Sequence, residues 1–418
     1  MKKLLLFSIL LFCPFHTKAQ NNSDLEKQVV SKLTEQLLAF PQEKIHIQTD
    51  KPYYICGEKI FFRAFLLHAS LNAPIHVSRY VYVELINPLN ESVLLQQIRV
   101  DDDNLFYGAL ALPEDLPEGN YRIRSYTRFM ENVGEEWFYS QSVFIASPNS
   151  AKIEMESKFD FFNDKQVGVA LRFKDRKNES IKRPENVELT LEDNKSTKIV
   201  PNEEGWITQK FNLKDSDTKR TLLIDYNNGN GSFSKYIQIP YQNNLPEISF
   251  YPEGGNLIVG QTNRVAFKAL LPDGSSAEIK GTIFNNKEEI QTTFSTFHAG
   301  MGDFSLDVRE NETYYAQINY NDEVIKINLP KNQSNTLSLQ AILENEKLSV
   351  SVNKPISFDE STCYLLIHHQ GVPNLFEEWD FSKNKKTIHK NQFKTGVSHL
   401  LLLNKNLQIV SEIGRAHV

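Results

Sequence analysis

From Lys44 onwards the chain runs in short apolar stretches whose residues alternate with polar ones, and a turn signal interrupts them at regular intervals. A strand with period-two alternation buries one face only, so it needs neighbours beside it and a second layer over it. That requirement excludes helical bundles and points to antiparallel sandwiches. In the first segment the spacing predicts strands at Lys44–Thr49, Lys59–Leu67, Tyr80–Ile86, Val93–Arg99, Leu105–Leu112, Tyr121–Thr127 and Trp137–Ile145. Asp50-Lys51-Pro52, Asn87-Pro88, Asp101–Asn104 and Pro117-Glu118-Gly119 separate them with turn chemistry.

The pattern then restarts after the polar joint Ser147-Pro148-Asn149-Ser150. Runs at Val167–Phe173, Val187–Leu191, Gly205–Phe211, Thr221–Tyr226 and Phe233–Ile239 make a second unit, and a joint at Tyr241–Glu247 leads to a third. The third unit's strands fall at Ile248–Tyr251, Arg264–Leu271, Glu278–Asn285, Ile290–Phe297, Phe304–Val308, Thr313–Asn319 and Val324–Leu329. A fourth begins near Leu337 and reads as unfinished. Only residues 23–40 break the period: Leu25, Val29, Leu33 and Leu37 recur every four residues between Lys and Glu, and Pro41 closes the run. That is one amphipathic helix.

Lys2-Lys3, the apolar run Leu4–Phe15 and Thr17-Lys18-Ala19 have the layout of a secretory signal peptide cleaved after Ala19. Cys13 lies inside the apolar run behind Leu11-Phe12, which does not suit a lipid-modified cysteine. No later stretch approaches the ~18 apolar residues of a membrane span. The 418 residues carry 46 basic and 52 acidic side chains, a net charge of −6, and cleavage would remove three of those lysines. An acidic chain of this kind is not built for nucleic acid. After cleavage Cys56 and Cys363 remain; a disulfide between them is open, and two buried thiols is the simpler reading.

Two stretches carry a family resemblance. Thr49-Asp50-Lys51-Pro52-Tyr53-Tyr54-Ile55-Cys56-Gly57-Glu58-Lys59-Ile60-Phe61-Phe62-Arg63-Ala64 resembles the opening of a macroglobulin MG2-type domain, and Gly119-Asn120-Tyr121-Arg122-Ile123-Arg124-Ser125-Tyr126-Thr127 resembles a later strand of it. In the third unit, Phe250–Gly260, Asn263–Ala269 and His298–Phe304 are similar to large secreted bacterial proteins of the alpha-2-macroglobulin-like kind. Those often carry a TonB-dependent-receptor plug domain further along. The resemblance implies tandem immunoglobulin-like sandwiches in an exported protein, of which this chain would be the N-terminal part.

Cys56-Gly57-Glu58-Lys59 comes close to the family's thioester motif, but a thioester needs glutamine where Lys59 stands, so a turn with Gly57 at positive φ and a half-buried Cys56 is expected instead. Pro252-Glu253-Gly254-Gly255 lacks the spacing and following helix of a phosphate cradle and reads as a turn. Gly300-Met301-Gly302 reads as a hairpin or bulge. Asp101-Asp102-Asp103-Asn104 lacks the glycine and distal glutamate of an EF-hand loop; a solvated turn is favoured over a weak cation site. His368-His369 should point to opposite faces of a strand. Glu377-Glu378 and Asp380 prove nothing by spacing. Trp137, Trp206 and Trp379 are expected in cores, with a sugar platform as the alternative.

These readings give an all-β fold of tandem immunoglobulin-like, macroglobulin-type β-sandwich domains after one short N-terminal helix. The divisions are 1–19 signal peptide, 20–43 helical lead-in, 44–147, 148–243 and 244–333 as sandwiches, and 334–412 as an incomplete fourth. Ile413-Gly414-Arg415-Ala416-His417-Val418 reads as translated sequencing-adapter DNA. No catalytic, cofactor-binding or metal-binding residue is assigned, and no cofactor. The expected role is a non-enzymatic binding or spacer region in the periplasm or at the outer membrane, with protein partners of the cell envelope, no nucleic acid and no membrane span in this chain. A thioester-free endopeptidase inhibitor and a carbohydrate-handling module are the alternatives.

Overall fold

The computed structural model describes residues 17–417 apart from 104, 164, 192–196, 214–219, 228–231, 243, 356–361, 384 and 394. Most of the signal peptide, Cys13, Asn104 and Val418 lie outside the described residues. The chain is all-β after one helix and divides into two compact units, Gln42–Asn244 and a second made of Leu245 onwards together with the N-terminal helix.

The first sandwich of the Gln42–Asn244 unit has two sheets. Glu43–Thr49 (β1), Lys59–His68 (β3) and Phe106–Ala111 (β6) pair in the order β1-β3-β6. The other sheet runs β2-β8-β7-β4-β5, from Tyr53–Ile55 (β2), Tyr139–Ala146 (β8), Gly119–Tyr126 (β7), Tyr80–Ile86 (β4) and Ser92–Arg99 (β5). Strict alternation explains the register: Ile60, Phe62, Ala64 and Leu66 of β3 turn inward and meet Val81, Val83, Leu85 and Ile123 of the facing sheet. Each of these side chains except Ala64 contributes on the order of 1.5–3 kcal/mol by leaving water.

In the second sandwich Gln166–Asp175 (β10) pairs with Ile153–Asn163 (β9), Ile181–Lys182 (β11) and Trp206–Asn212 (β14). Facing it, Thr197–Ile199 (β13), Asn186–Leu191 (β12), Thr221–Asn227 (β15) and Ser232–Gln238 (β16) pair in the order β13-β12-β15-β16. β9 has 11 residues and is absent from the strands expected above. Its outward Glu154, Glu156 and Lys158 mask the alternation by which Ile153, Met155, Phe159 and Phe161 reach the core.

The other unit holds two more sandwiches. Glu247–Pro252 (β17), Thr262–Leu270 (β19) and Met301–Asp307 (β22) face Ile290–Ser295 (β21), Lys280–Asn285 (β20), Tyr314–Tyr320 (β23) and Glu323–Asn328 (β24). A short parallel pair, Leu257–Ile258 (β18) with Asn332–Gln333 (β25), closes one side. The fourth segment, expected as unfinished, forms two sheets over a shared core. They are Ser338–Glu344 (β26), Lys347–Asn353 (β27) and Lys386–His389 (β30), and Val372–Glu378 (β29), Cys363–His369 (β28), Gly396–Asn404 (β31) and Ile409–His417 (β32). β32 continues through the residues read above as adapter-derived, and Ile413 is buried in that core.

The helix Thr17–Ala39 (α1) begins earlier than its apolar period implied. It is more than a lead-in. Leu25, Val29 and Leu33 pack against Leu366, Phe376, Leu401 and Leu403 on the outer face of the fourth sandwich. A helix whose stability rests on one apolar stripe is lost when the stripe is charged. The double substitution Val29→Asp, Leu33→Asp should therefore leave the sandwiches folded but make Lys27 and Lys32 readily cut by trypsin, checked by mass spectrometry of limited digests.

Candidate functional site: turn motifs and sandwich joints

The macroglobulin-like opening motif is a hydrogen-bonded corner. Asp50 Oδ1 accepts from the Tyr54 hydroxyl at 2.5 Å and from the Phe61 amide at 3.1 Å, while the Tyr54 oxygen accepts from the Lys51 amide at 3.1 Å. Tyr54 is fully buried. Burial and the adjoining Asp50 carboxylate push its phenol up to about 12. Pro52 thus sits in a turn whose donors are already satisfied, which suits its missing N–H.

Cys56 follows on the same corner. Gly57 adopts φ +85°, a conformation that favours glycine. The Cys56 thiol donates toward the carbonyls of Leu116 and Ala146, both at 3.1 Å, and burial pushes its pKa up. A raised, carbonyl-bonded thiol is the opposite of an activated nucleophile. Glu58 is turned back to the Ile55 amide at 2.9 Å and to Lys51 at 2.8 Å, while Lys59 points outward from β3. Cys363 lies 1 % exposed in the fourth core.

The other motifs also serve the backbone. Asp101 Oδ1 accepts from the amides of Asp103 and Leu105 and so closes its own turn. Gly300-Met301-Gly302 opens β22, where the Met301 amide donates to the His298 carbonyl at 2.8 Å. Glu377 pairs with Lys386, and Asp380 with Lys383 and Ser382. Of the three tryptophans only Trp379 is in a core. This corrects the expectation for the others: Trp137 is 64 % exposed in a short 3-10 turn. Trp206 lies on the outer face of β14, where Lys158 and Arg172 each stand 4.5 Å from its ring. Among the described residues, no group of three His, Cys, Asp or Glu could hold a metal, and no helix is long and apolar enough to cross a membrane.

His368 and His369 do part company across β28. His369 is buried, and His368 faces outward, stacked on His399 of β31 with ring centroids 5.0 Å apart. His368 Nδ1 accepts from the Gly371 amide at 3.1 Å, and His399 Nδ1 lies 3.0 Å from Glu412. Burial first, then the neighbouring His399, holds the His368 pKa down. Both residues stand in alternating runs, but only strand register pairs them.

The polar joint at Ser147–Ser150 is legible in the sequence, but the bonds that fasten one sandwich to the next are not. In the Gln42–Asn244 unit, Glu118 of the first sandwich receives Lys235 Nζ at 2.8 Å, the Ser150 hydroxyl, and the Ser147 amide at 3.3 Å. Its backbone pairs there as well: its amide donates to Ser234 at 2.7 Å, and its carbonyl accepts from Tyr236 at 2.8 Å. Tyr236 packs edge-on against Tyr121 and accepts from Asn87 at 3.2 Å. In the other unit, the turn at Glu253–Gly255 enters the fourth sandwich. The carbonyls of Glu253 and Gly254 accept from Ser338 and Ser411, each at 2.7 Å. Gly254 has φ +75°, and a Cβ there would lie 2.3 Å from Ser338 Oγ and 2.5 Å from the Leu339 carbonyl, so no other residue fits.

Burial pushes the Glu118 carboxyl up, but its bonds to Lys235, Ser150 and Ser147 more than offset this and leave its pKa below the ordinary glutamate value. A depressed carboxylate stabilises the folded state above its unfolded pKa of about 4.5, and that contribution is lost as pH falls through the lowered value. Glu118→Ala should cost about 1–3 kcal/mol in urea unfolding at neutral pH. The gap between variant and parent should close on acidification below about pH 4.

No family model matches the chain, and no curated protein matches it. Solved structures do align with it at low similarity. The native conformation of E. coli alpha-2-macroglobulin aligns at 10 % identity and a TM-score of 0.31, covering 90 % of this chain and 29 % of that one. A Salmonella alpha-2-macroglobulin mutant aligns at 11 % identity and a TM-score of 0.29, covering 88 % of this chain and 28 % of that one. The BSP domain of a biofilm associated protein aligns at 9 % identity and a TM-score of 0.24, covering 90 % of this chain and 96 % of that one. The chain thus spans under a third of the length of these two macroglobulins.

Proposed function

We propose that this chain is an exported, non-enzymatic array of macroglobulin-type sandwiches that serves as a binding and spacing region of a cell-envelope protein. The observation that carries the reading is the construction of the joints. Within each unit, one sandwich is fastened to the next by bonds to backbone atoms, at Glu118 with Ser234 and Tyr236 and at Glu253-Gly254 with Ser338 and Ser411. Joints of this kind hold neighbouring modules at a set angle, as a spacer requires. The glycine and carboxylate motifs singled out in the sequence are used up in these joints and in turns. The Cys56 thiol, bonded to two carbonyls, supports a role without covalent trapping. The resemblance of the first and third sandwiches to secreted bacterial macroglobulin-domain proteins supports a place in the periplasm or at the outer membrane, in a TonB-linked assembly.

Two experiments test this. Spin labels at Ser92→Cys and Thr208→Cys, both exposed, in a background lacking Cys56 and Cys363, should give one narrow distance distribution across the Glu118 joint. A broad distribution would remove the spacer reading. Incubation with a panel of endopeptidases should yield no stable complex; a protease retained after one cut would favour inhibition instead.

A further inference from the structure

The outer face of the β1-β3-β6 sheet sets exposed aromatic rings beside cations. Alternation turns Phe61, Arg63 and Phe65 of β3 outward, flanked by His46 of β1 and Tyr107 of β6. Phe61 is 55 % and Tyr107 62 % exposed. Arg63 lies 4.7 Å above the Phe65 ring, and His46 approaches the same ring at 6.3 Å. Lys44 and Lys59 stand at the margins of the face, and no outward strand position on it is acidic.

These cations lack the partners that others in the chain have. On the outer face of the second sandwich Glu156 holds both Arg172 and Lys174, and in the third Arg264 meets Asp303 at 2.8 Å. On the β1-β3-β6 face, Lys44 reaches the amide oxygen of Asn72 at 3.2 Å, and among the described residues Lys44, Arg63 and Lys59 meet no carboxylate. A chain of net charge −6 thus keeps this face cationic and aromatic. Arginine, tyrosine and phenylalanine are the side chains enriched at the cores of protein interfaces, and margin cations select an oppositely charged partner.

We propose that this face docks a short acidic segment of a protein partner, one that presents aromatic or aliphatic anchors between its carboxylates. Size supports a segment over a globular body. Three strands at about 4.8 Å spacing, over the run from Lys59 to Leu67 at about 3.3 Å per residue, give an area on the order of 400 Å². A stable globular partner buries about 800 Å² on each side. A second copy of this chain docked symmetrically would set Arg63, Lys44 and Lys59 against their own images. An acidic glycan would meet the charges as well, but Phe61, Phe65 and Ala109 between them favour apolar anchors, and alginate serves as the competing ligand in the test.

The proposal rests on the reading of the chain as a binding region, and its test is independent of the joints. Fluorescence anisotropy would follow the full chain binding a labelled peptide of about ten residues in which Asp alternates with Phe and Leu. Saturable binding is expected. Phe61→Ser and Arg63→Glu should each weaken it about tenfold or more. Raising salt from about 50 to about 500 mM should weaken it as well. The same peptide with Lys in place of Asp should not bind. Both substituted residues are exposed, so unchanged thermal melts will show that the variants fold. The proposal is overturned if the acidic peptide fails to bind, if it binds both variants as tightly as the parent, or if alginate binds this face where the peptide does not. A broad spin-label distribution with peptide binding intact would sink the spacer reading and leave this surface standing.

Discussion

Each sheet in this chain has two faces, and the partner sheet of a sandwich covers only one of them. The inner faces are filled by alternating Ile, Val, Leu and Phe, which explains the separate core of each sandwich. The outer faces need other solutions, and the chain uses several. The second sandwich sets Glu156 between Arg172 and Lys174 and lays Lys158 and Arg172 over Trp206. On the five-stranded sheet of the first, Phe138 stacks on Tyr126 at 4.5 Å and Tyr126 on Tyr82 at 5.4 Å. The fourth sandwich borrows α1. On the β1-β3-β6 face exposed aromatics stand beside cations that meet no carboxylate among the described residues, which is what the proposed docking rests on.

Because the cores are separate, coupling between sandwiches depends on a few polar groups. Stability in such arrays is close to a sum of module terms and nearest-neighbour terms. Glu118 and Gly254 belong to the second kind. The groups they meet are backbone amides and carbonyls, short serines and one lysine, and Tyr236 against Tyr121 is where the first joint touches a core. A change at Gly254 strikes Ser338 and Leu339 of the next sandwich and spares its own core.

Much of the fold is legible in the sequence because alternation is a local signal. Tyr80–Ile86 is read at its observed bounds, and most other strands differ only at their ends. β9 escapes because its outward residues are charged and crowd out the pattern, although Phe159 and Phe161 are inward. Trp206 is misplaced because aromatic content alone does not say which parity of the strand faces the core. The turn at Pro252-Glu253-Gly254-Gly255 is readable from its glycines, but its insertion into the fourth sandwich depends on Ser338 and Ser411, far along the chain. The pairing of His368 with His399 is hidden likewise, since register is a property of two strands. The docking face lies between these cases: each outward residue of β3 follows from alternation, but its lack of carboxylate neighbours appears only once β1 and β6 are placed beside it.

α1 also bears on how the chain assembles. Its apolar stripe, Leu25, Val29 and Leu33, leaves the ribosome long before Leu366, Phe376, Leu401 and Leu403, the residues it packs against. Closures of that length are slow. During synthesis the helix therefore waits with its stripe uncovered while earlier sandwiches fold on local contacts. Throughout that interval the stripe is exposed apolar surface, and its docking reports that the fourth sandwich has formed.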